Sequence, residues 1–107
     1  MEAACRGAKE ADGKTVGLLP GADRSAANPF VDVAIATGLG EARNTLVVRA
    51  ADAVIAIGGG YGTLSEIALA LKAGKHVVGL GTWEIDGVEP AGSPDAAVEA
   101  VLRDLTT

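Results

Sequence analysis

The sequence predicts an α/β fold, a doubly wound parallel sheet, and three observations carry that prediction. Short runs of Val, Ile, Leu and Ala alternate with helix-patterned stretches, the pattern of parallel strands joined by crossover helices. Apolar residues form 49% of the 107 residues but aromatics only 3%, which suits thin strands buried on both faces. The apolar run Asp52-Ala53-Val54-Ile55-Ala56-Ile57 meets four glycines within five residues, Gly58, Gly59, Gly60 and Gly62. A buried strand ending in a glycine turn that opens a helix is how this fold class builds an anion site. The length allows one domain, residues 1–107.

In chain order, Met1 to Ala11 has helical propensity and is stopped by Asp12-Gly13. Thr15-Val16-Gly17-Leu18-Leu19 reads as a short buried strand ended by Pro20-Gly21, and residues 21–30 as loop. Val31 to Ala36 is a brief, weak strand. A helix is expected from about Glu41 to Ala51, with Leu39, Ala42, Leu46 and Ala50 sharing its core side. The strand 53–57 and the glycine turn come next. A helix from Leu64 to Ala73 then buries Leu64, Ile67, Ala68 and Leu71, and Gly74 ends it. His76 to Leu80 is the next buried strand, with Gly81-Thr82-Trp83 at its carboxyl end. Residues 84–93 have room for one short strand. Ser93-Pro94-Asp95 places a cap and a first-position proline before a terminal helix to about Leu105.

The net charge of −5, with Lys and Arg scattered, argues against a nucleic-acid partner, because phosphate-backbone binding needs a basic surface. The expected partner is a small molecule. No run approaches the roughly 18 apolar residues of a membrane span, and no leader peptide is recognisable, so a soluble cytoplasmic protein without membrane contact is expected. The lone Cys5 excludes an internal disulfide and reads as a small buried thiol. His76 is the only histidine, so no metal constellation is expected, and no cofactor is implied.

The glycine turn and the helix before it resemble the LOG-like (Lonely Guy) family of Rossmann-like proteins. The family motif Pro-Gly-Gly-x-Gly-Thr-x-x-Glu matches Gly58-Gly59-Gly60-Tyr61-Gly62-Thr63-Leu64-Ser65-Glu66, with Gly58 in place of the proline. The family's helical arginine, set in His-x-Arg-Lys, falls on Glu41-Ala42-Arg43-Asn44, and the interval from Arg43 to Glu66 is the family's own. The likeness is greatest to a short bacterial subgroup with Ala-Arg-Asn and Gly-Gly-Gly-Tyr-Gly-Thr. It implies a strand order 3-2-1-4-5 in which residues 15–19 are strand three and residues 53–57 strand four. The family's first strand, helix and second strand have no counterpart here, so Met1 reads as an internal methionine or an artificial boundary. Strands 15–19 and 53–57 are then not expected to pair with each other. The resemblance also implies a homo-oligomer, a dimer or higher.

The resemblance further implies the chemistry of a nucleoside 5′-monophosphate phosphoribohydrolase. In that role Glu66 would stabilise the oxocarbenium-like ribosyl centre and orient water, and Arg43 would clamp the phosphate or assist the leaving base. Gly58, Gly59, Gly60, Tyr61, Gly62 and Thr63 would hold the phosphate, with Asn44 and Thr37 as further polar groups. The alternative is a carrier or sensor that holds the same phosphorylated ligand without turnover, a reading that Glu41 and Asn44 favour. Thr63-x-x-Glu66 also reads as a capping box, in which the glutamate serves only the helix end. Tyr61 and Trp83 lie at strand carboxyl ends, where either would stack on a base or simply pack. Asp23 and Arg24 follow a strand end and are weaker candidates to close over the ligand. The lysine decarboxylase label attached to some relatives is rejected. Lys9, Lys14, Lys72 and Lys75 occupy helix or turn positions that read as solvated, not as a Schiff-base site.

Overall fold

The computed structural model describes residues 1–105, packed as two compact units, one ending at Arg43 and one beginning at Asn44. The first contains α1 (Glu2–Glu10), β1 (Val16–Leu19), a 3-10 turn at Arg24–Ala26, β2 (Val33–Ala36) and a second 3-10 turn at Gly40–Ala42. Helix α1 stops where the sequence signals, but the residue in the left-handed region is Asp12, at φ 60°, not Gly13. Cys5 on its inner side is buried. Strands β1 and β2 run parallel, Val16 opposite Val33 and Leu19 opposite Ala36.

One polar cluster fixes the entrance to both strands. Asp32 accepts from the Thr15 N–H at 2.8 Å and from Lys9 Nζ at 2.8 Å. Thr15 Oγ1 donates to Phe30 O at 2.6 Å and accepts from the Asp32 N–H at 2.8 Å. Thr15 is buried, and its satisfied hydroxyl explains how a polar residue sits there without cost. Lys9 is therefore not idle in solvent as its helical position suggested. Its ammonium, and next the Thr15 N–H, hold the Asp32 carboxyl below its ordinary value.

In the second unit α2 (Arg43–Ala50) leads to β3 (Ala53–Ile57), α3 (Tyr61–Lys72), β4 (His76–Leu80), β5 (Val88–Ala91) and α4 (Pro94–Leu105). The sheet order is β3-β4-β5, all parallel. Successive β4 side chains point to opposite faces, and both Val77 and Val78 are fully buried. Val77 joins Val48, Ala56, Ile67 and Ala70 in one core cluster, while Val78 joins Ala97, Ala100 and Val101 in another. Helices thus cover both faces of the sheet, as the doubly wound class requires. Helix α4 begins as the sequence signals, with Ser93 Oγ accepting from the Ala96 N–H at 3.1 Å. At the amino end of β4, the His76 ring lies between Glu89 Oε1 (3.2 Å) and Asp104 Oδ2 (2.8 Å), and Arg103 meets Glu89 at 3.2 Å. This group braces β4, β5 and α4 together.

Strands β1 and β3 lie in separate sheets. Two helix faces differ from expectation. On α2 the buried residues are Asn44 and Val48, whereas Leu39, Ala42, Leu46 and Ala50 are exposed. Apolar residues occur around much of this helix, so periodicity alone did not fix its rotation. On α3 the buried pair is Ile67 and Ala70, and Ala68 is exposed. Lys75 also departs from its expected solvation, donating to Ala51 O at 2.6 Å and tying the end of α3 to the start of β3. No helix among the described residues is long and apolar enough to cross a membrane.

Truncating Ile67, which has no exposed surface, to Ala is expected to lower stability by about 2–5 kcal/mol, read from the midpoint of a denaturant melt. Asp32→Asn is expected to lower the melting temperature at neutral pH. A depressed carboxylate contributes stability above its unfolded-state value and loses it as pH falls through the folded one. The gap between wild type and variant should therefore begin to close below pH 3.8 and vanish at still lower pH, in melts recorded across that range.

Candidate functional site

Register creates the site. Ile57 pairs with Leu80, and Leu80 with Ala91, so the three strands of the second sheet end level with one another. The segments that leave those ends, Gly58–Gly60 and Gly81–Trp83, are thereby neighbours. Trp83 Nε1 donates to Gly60 O at 3.2 Å, closing the two loops against each other.

Gly58 takes φ +87°, a conformation that L side chains rarely adopt, and turns the chain off β3. Gly60 then serves as the N-cap of α3, at φ −73° and ψ 162°, with no side-chain cap. The helix starts at Tyr61, three residues before the expected start at Leu64. Thr63 consequently lies inside the first turn, and the Thr63–Glu66 capping box does not form around it. The first internal bond is from the Leu64 N–H to Gly60 O, at 3.1 Å. The N–H groups of Tyr61, Gly62 and Thr63 precede it, so no helical acceptor serves them, and they stand at the positive end of the helix dipole.

A methyl group built on Gly59, Gly60 or Gly62 would meet nothing within 4 Å. None of the three has a left-handed φ. Neither packing nor backbone conformation therefore demands glycine there, although Gly62 within a helix costs about 0.5–1 kcal/mol relative to Ala. The turn leaves open space over exposed backbone donors. Glu66 is half-buried on the second turn of the same helix, and Thr63 is half-buried beside it in sequence.

Other predicted groups are occupied differently. Arg43 closes the first unit, where its Nη1 donates to Leu18 O at 2.6 Å and its Nε is buried without an acceptor among the described residues. Thr37 Oγ1 donates to Leu19 O at 2.6 Å and is thus engaged at the end of β1. Asp23 caps the 3-10 turn at Arg24–Ala26, and hydrogen bonds from Ser25 hold its carboxyl below the ordinary value. Asn44 is buried on α2. Tyr61 and Trp83 stack on each other, with ring centres 6.2 Å apart and planes 25° apart, so each packs against the other. Among the described residues no cluster of His, Cys, Asp and Glu has the makings of a metal site.

Sequence reasoning passed over Thr82, Glu84 and Asp86. They line a cavity of about 570 Å³ at the carboxyl ends of β4 and β5, together with Trp83 and Val88. Thr82 Oγ1 is buried there with no partner among the described residues. The available signal was positional: a hydroxyl and two carboxylates directly after a buried parallel strand.

Comparison with known proteins places this geometry among relatives. The profile of the SLOG cluster4 family matches residues 1–103. An uncharacterized protein of Archaeoglobus fulgidus is 46% identical over 99 residues, covering 92% of this chain and 65% of that protein. The chain thus spans about two thirds of that relative's length. The molybdenum cofactor binding protein of Rippkaea orientalis superposes with a TM-score of 0.88 at 41% identity, over 97% of this chain and 69% of its own. The molybdenum cofactor carrier protein of Chlamydomonas reinhardtii gives 0.84 at 40% identity, with the same coverage.

Gly58→Ala is expected to cost about 1–2 kcal/mol through its left-handed backbone, whereas Gly60→Ala should stay within about 0.5 kcal/mol. Denaturant melts of the two variants measure the contrast. Equal costs would show that the turn is not built as described.

Proposed function

The chain belongs to the SLOG cluster4 family, and from that premise we propose that it binds a small phosphorylated ligand at the Gly58–Thr63 turn and carries it without turnover. The observation that carries this reading is the open space over Gly59, Gly60 and Gly62 at the amino end of α3. Three backbone N–H groups without helical acceptors and a positive dipole end suit a phosphate, and the absence of Cβ atoms lets its oxygens approach. The solved relatives named for molybdenum cofactor binding and carriage support a carrier role. A phosphate-holding turn suits any small phosphorylated cargo, a nucleoside monophosphate included.

Hydrolysis of a nucleoside monophosphate is the second reading. It is favoured by the position of Glu66, half-buried on α3 one turn beyond the phosphate turn. Arg43 weighs against it, because its guanidinium already holds a β1 carbonyl. An oligomer formed through helices near the site remains part of the proposal drawn from the family resemblance.

Ribose 5-phosphate and a panel of nucleoside 5′-monophosphates are expected to bind the full chain in isothermal titration calorimetry. Gly60→Val should weaken them at least tenfold, about 1.4 kcal/mol, without loss of the circular-dichroism spectrum. No free base should appear on prolonged incubation. Base release that vanishes in Glu66→Ala would replace carriage by hydrolysis, and absence of all binding would sink both readings.

A further inference from the structure

Two surfaces of the second unit lie outside the site described above, and their chemistry is complementary. The first is a groove of about 300 Å³ between α2 and α3. Val48, Leu69 and Ala73 give it apolar surface, and Thr45, Arg49 and Lys72 complete its lining. No Asp or Glu lines it. Among the described residues neither Arg49 nor Lys72 has an ion-pair partner. In a chain of net charge −5, two such cations beside apolar surface make a local exception that favours an acidic occupant.

The second surface is the outer flank of α4. Val98, Leu102 and Leu105 are 47%, 50% and 51% exposed. Their spacing, i, i+4 and i+7, sets them along one side of the helix. Helix α4 thus carries more apolar surface than its sheet covers: Ala97, Ala100 and Val101 enter the core, and a second strip faces water. Asp95 lies three residues before Val98 and Glu99 three before Leu102, so both carboxylates border that strip. Neither has an ion-pair partner among the described residues. Arg103, the one cation of α4, is engaged with Glu89.

We propose that the α4 strip of one copy docks in the α2–α3 groove of another, so that the chain associates with itself head to tail. A helix laid in a groove through anchors at i, i+4 and i+7 is a recurring recognition mode. Charge selects this pairing over the others two copies could make. Groove against groove would set cations on cations, and strip against strip carboxylates on carboxylates. Strip in groove joins apolar to apolar and acid to base. The two surfaces lie on opposite faces of the sheet, α4 on the Val78 side, α2 and α3 on the Val77 side. One partner therefore cannot engage both, and the contact does not close about a two-fold axis. Each pair keeps a free groove at one end and a free strip at the other, and adds further copies. Neither surface includes the glycine turn, so the inference is independent of the phosphate reading.

Sedimentation velocity over a concentration series tests it. The weight-average mass of the wild-type chain should climb with concentration past twice that of one chain. Leu102→Asp, in the strip, and the Arg49→Glu, Lys72→Glu double variant, in the groove, should each stay monomeric. Both should keep the wild-type circular-dichroism spectrum, because every changed residue is exposed. Mixed together, they should form a 1:1 complex and nothing larger, since one retains a groove and the other a strip. A wild-type chain that stays monomeric would overturn the proposal. So would a dimer that never grows, or an oligomer that both variants leave intact. If a monomeric chain instead binds decanoate and the groove variant does not, the groove belongs to a small carboxylate and the self-association is rejected.

Discussion

Burial of β4 on both faces is the constraint on which the second unit depends. Val77 and Val78 are adjacent in sequence, yet each lies at the centre of a different core cluster. Fully burying each valine is worth about 1.5–3 kcal/mol relative to exposure. More important is that a one-residue slip of β4 would exchange the two cores. Ala56 and Ile67 would then face the wrong partner, and the level ends of β3, β4 and β5 would be lost. The site exists because that slip is forbidden: the glycine turn and the Trp83 loop meet only when Ile57, Leu80 and Ala91 stand in line.

Bracing and binding are divided between the two ends of the sheet. At the amino end His76, Glu89, Arg103 and Asp104 join strands to the last helix through side chains. At the carboxyl end of β3 the chain instead presents backbone, with glycines and a helix start. An end built of side-chain pairs holds its geometry without a ligand. An end built of unpaired backbone donors is suited to receiving one.

The strands at residues 53–57 and 76–80 were legible in the sequence because each is an unbroken apolar run. A strand covered on both faces leaves no alternation to misread. The terminal helix was legible because Ser93 and Pro94 mark its start through local chemistry. The buried side of α2 was not, since Asn44 enters the protein interior while Leu46 stays outside, and apolar periodicity carries no signal of that rotation. The start of α3 was misplaced for a related reason. Thr63 and Glu66 have capping-box spacing, but Gly60 already caps the helix with backbone alone. The glycine turn could be read from its composition. Thr82 could not, because its importance arises from a contact with Gly79 that only the folded loop creates.

That contact also bears on how such a cavity can change over generations. Position 79 accepts a larger residue only after both Thr82 and Val88 have given way, because a Cβ would press on both. Substitutions here are therefore ordered in time: the loop must yield before the strand can. A lineage that keeps Thr82 and Val88 also keeps its glycine, and with it the shape of the space beyond. Variation around the cavity would fall instead on its rim, where the exposed Glu84 and Asp86 can drift without disturbing the sheet.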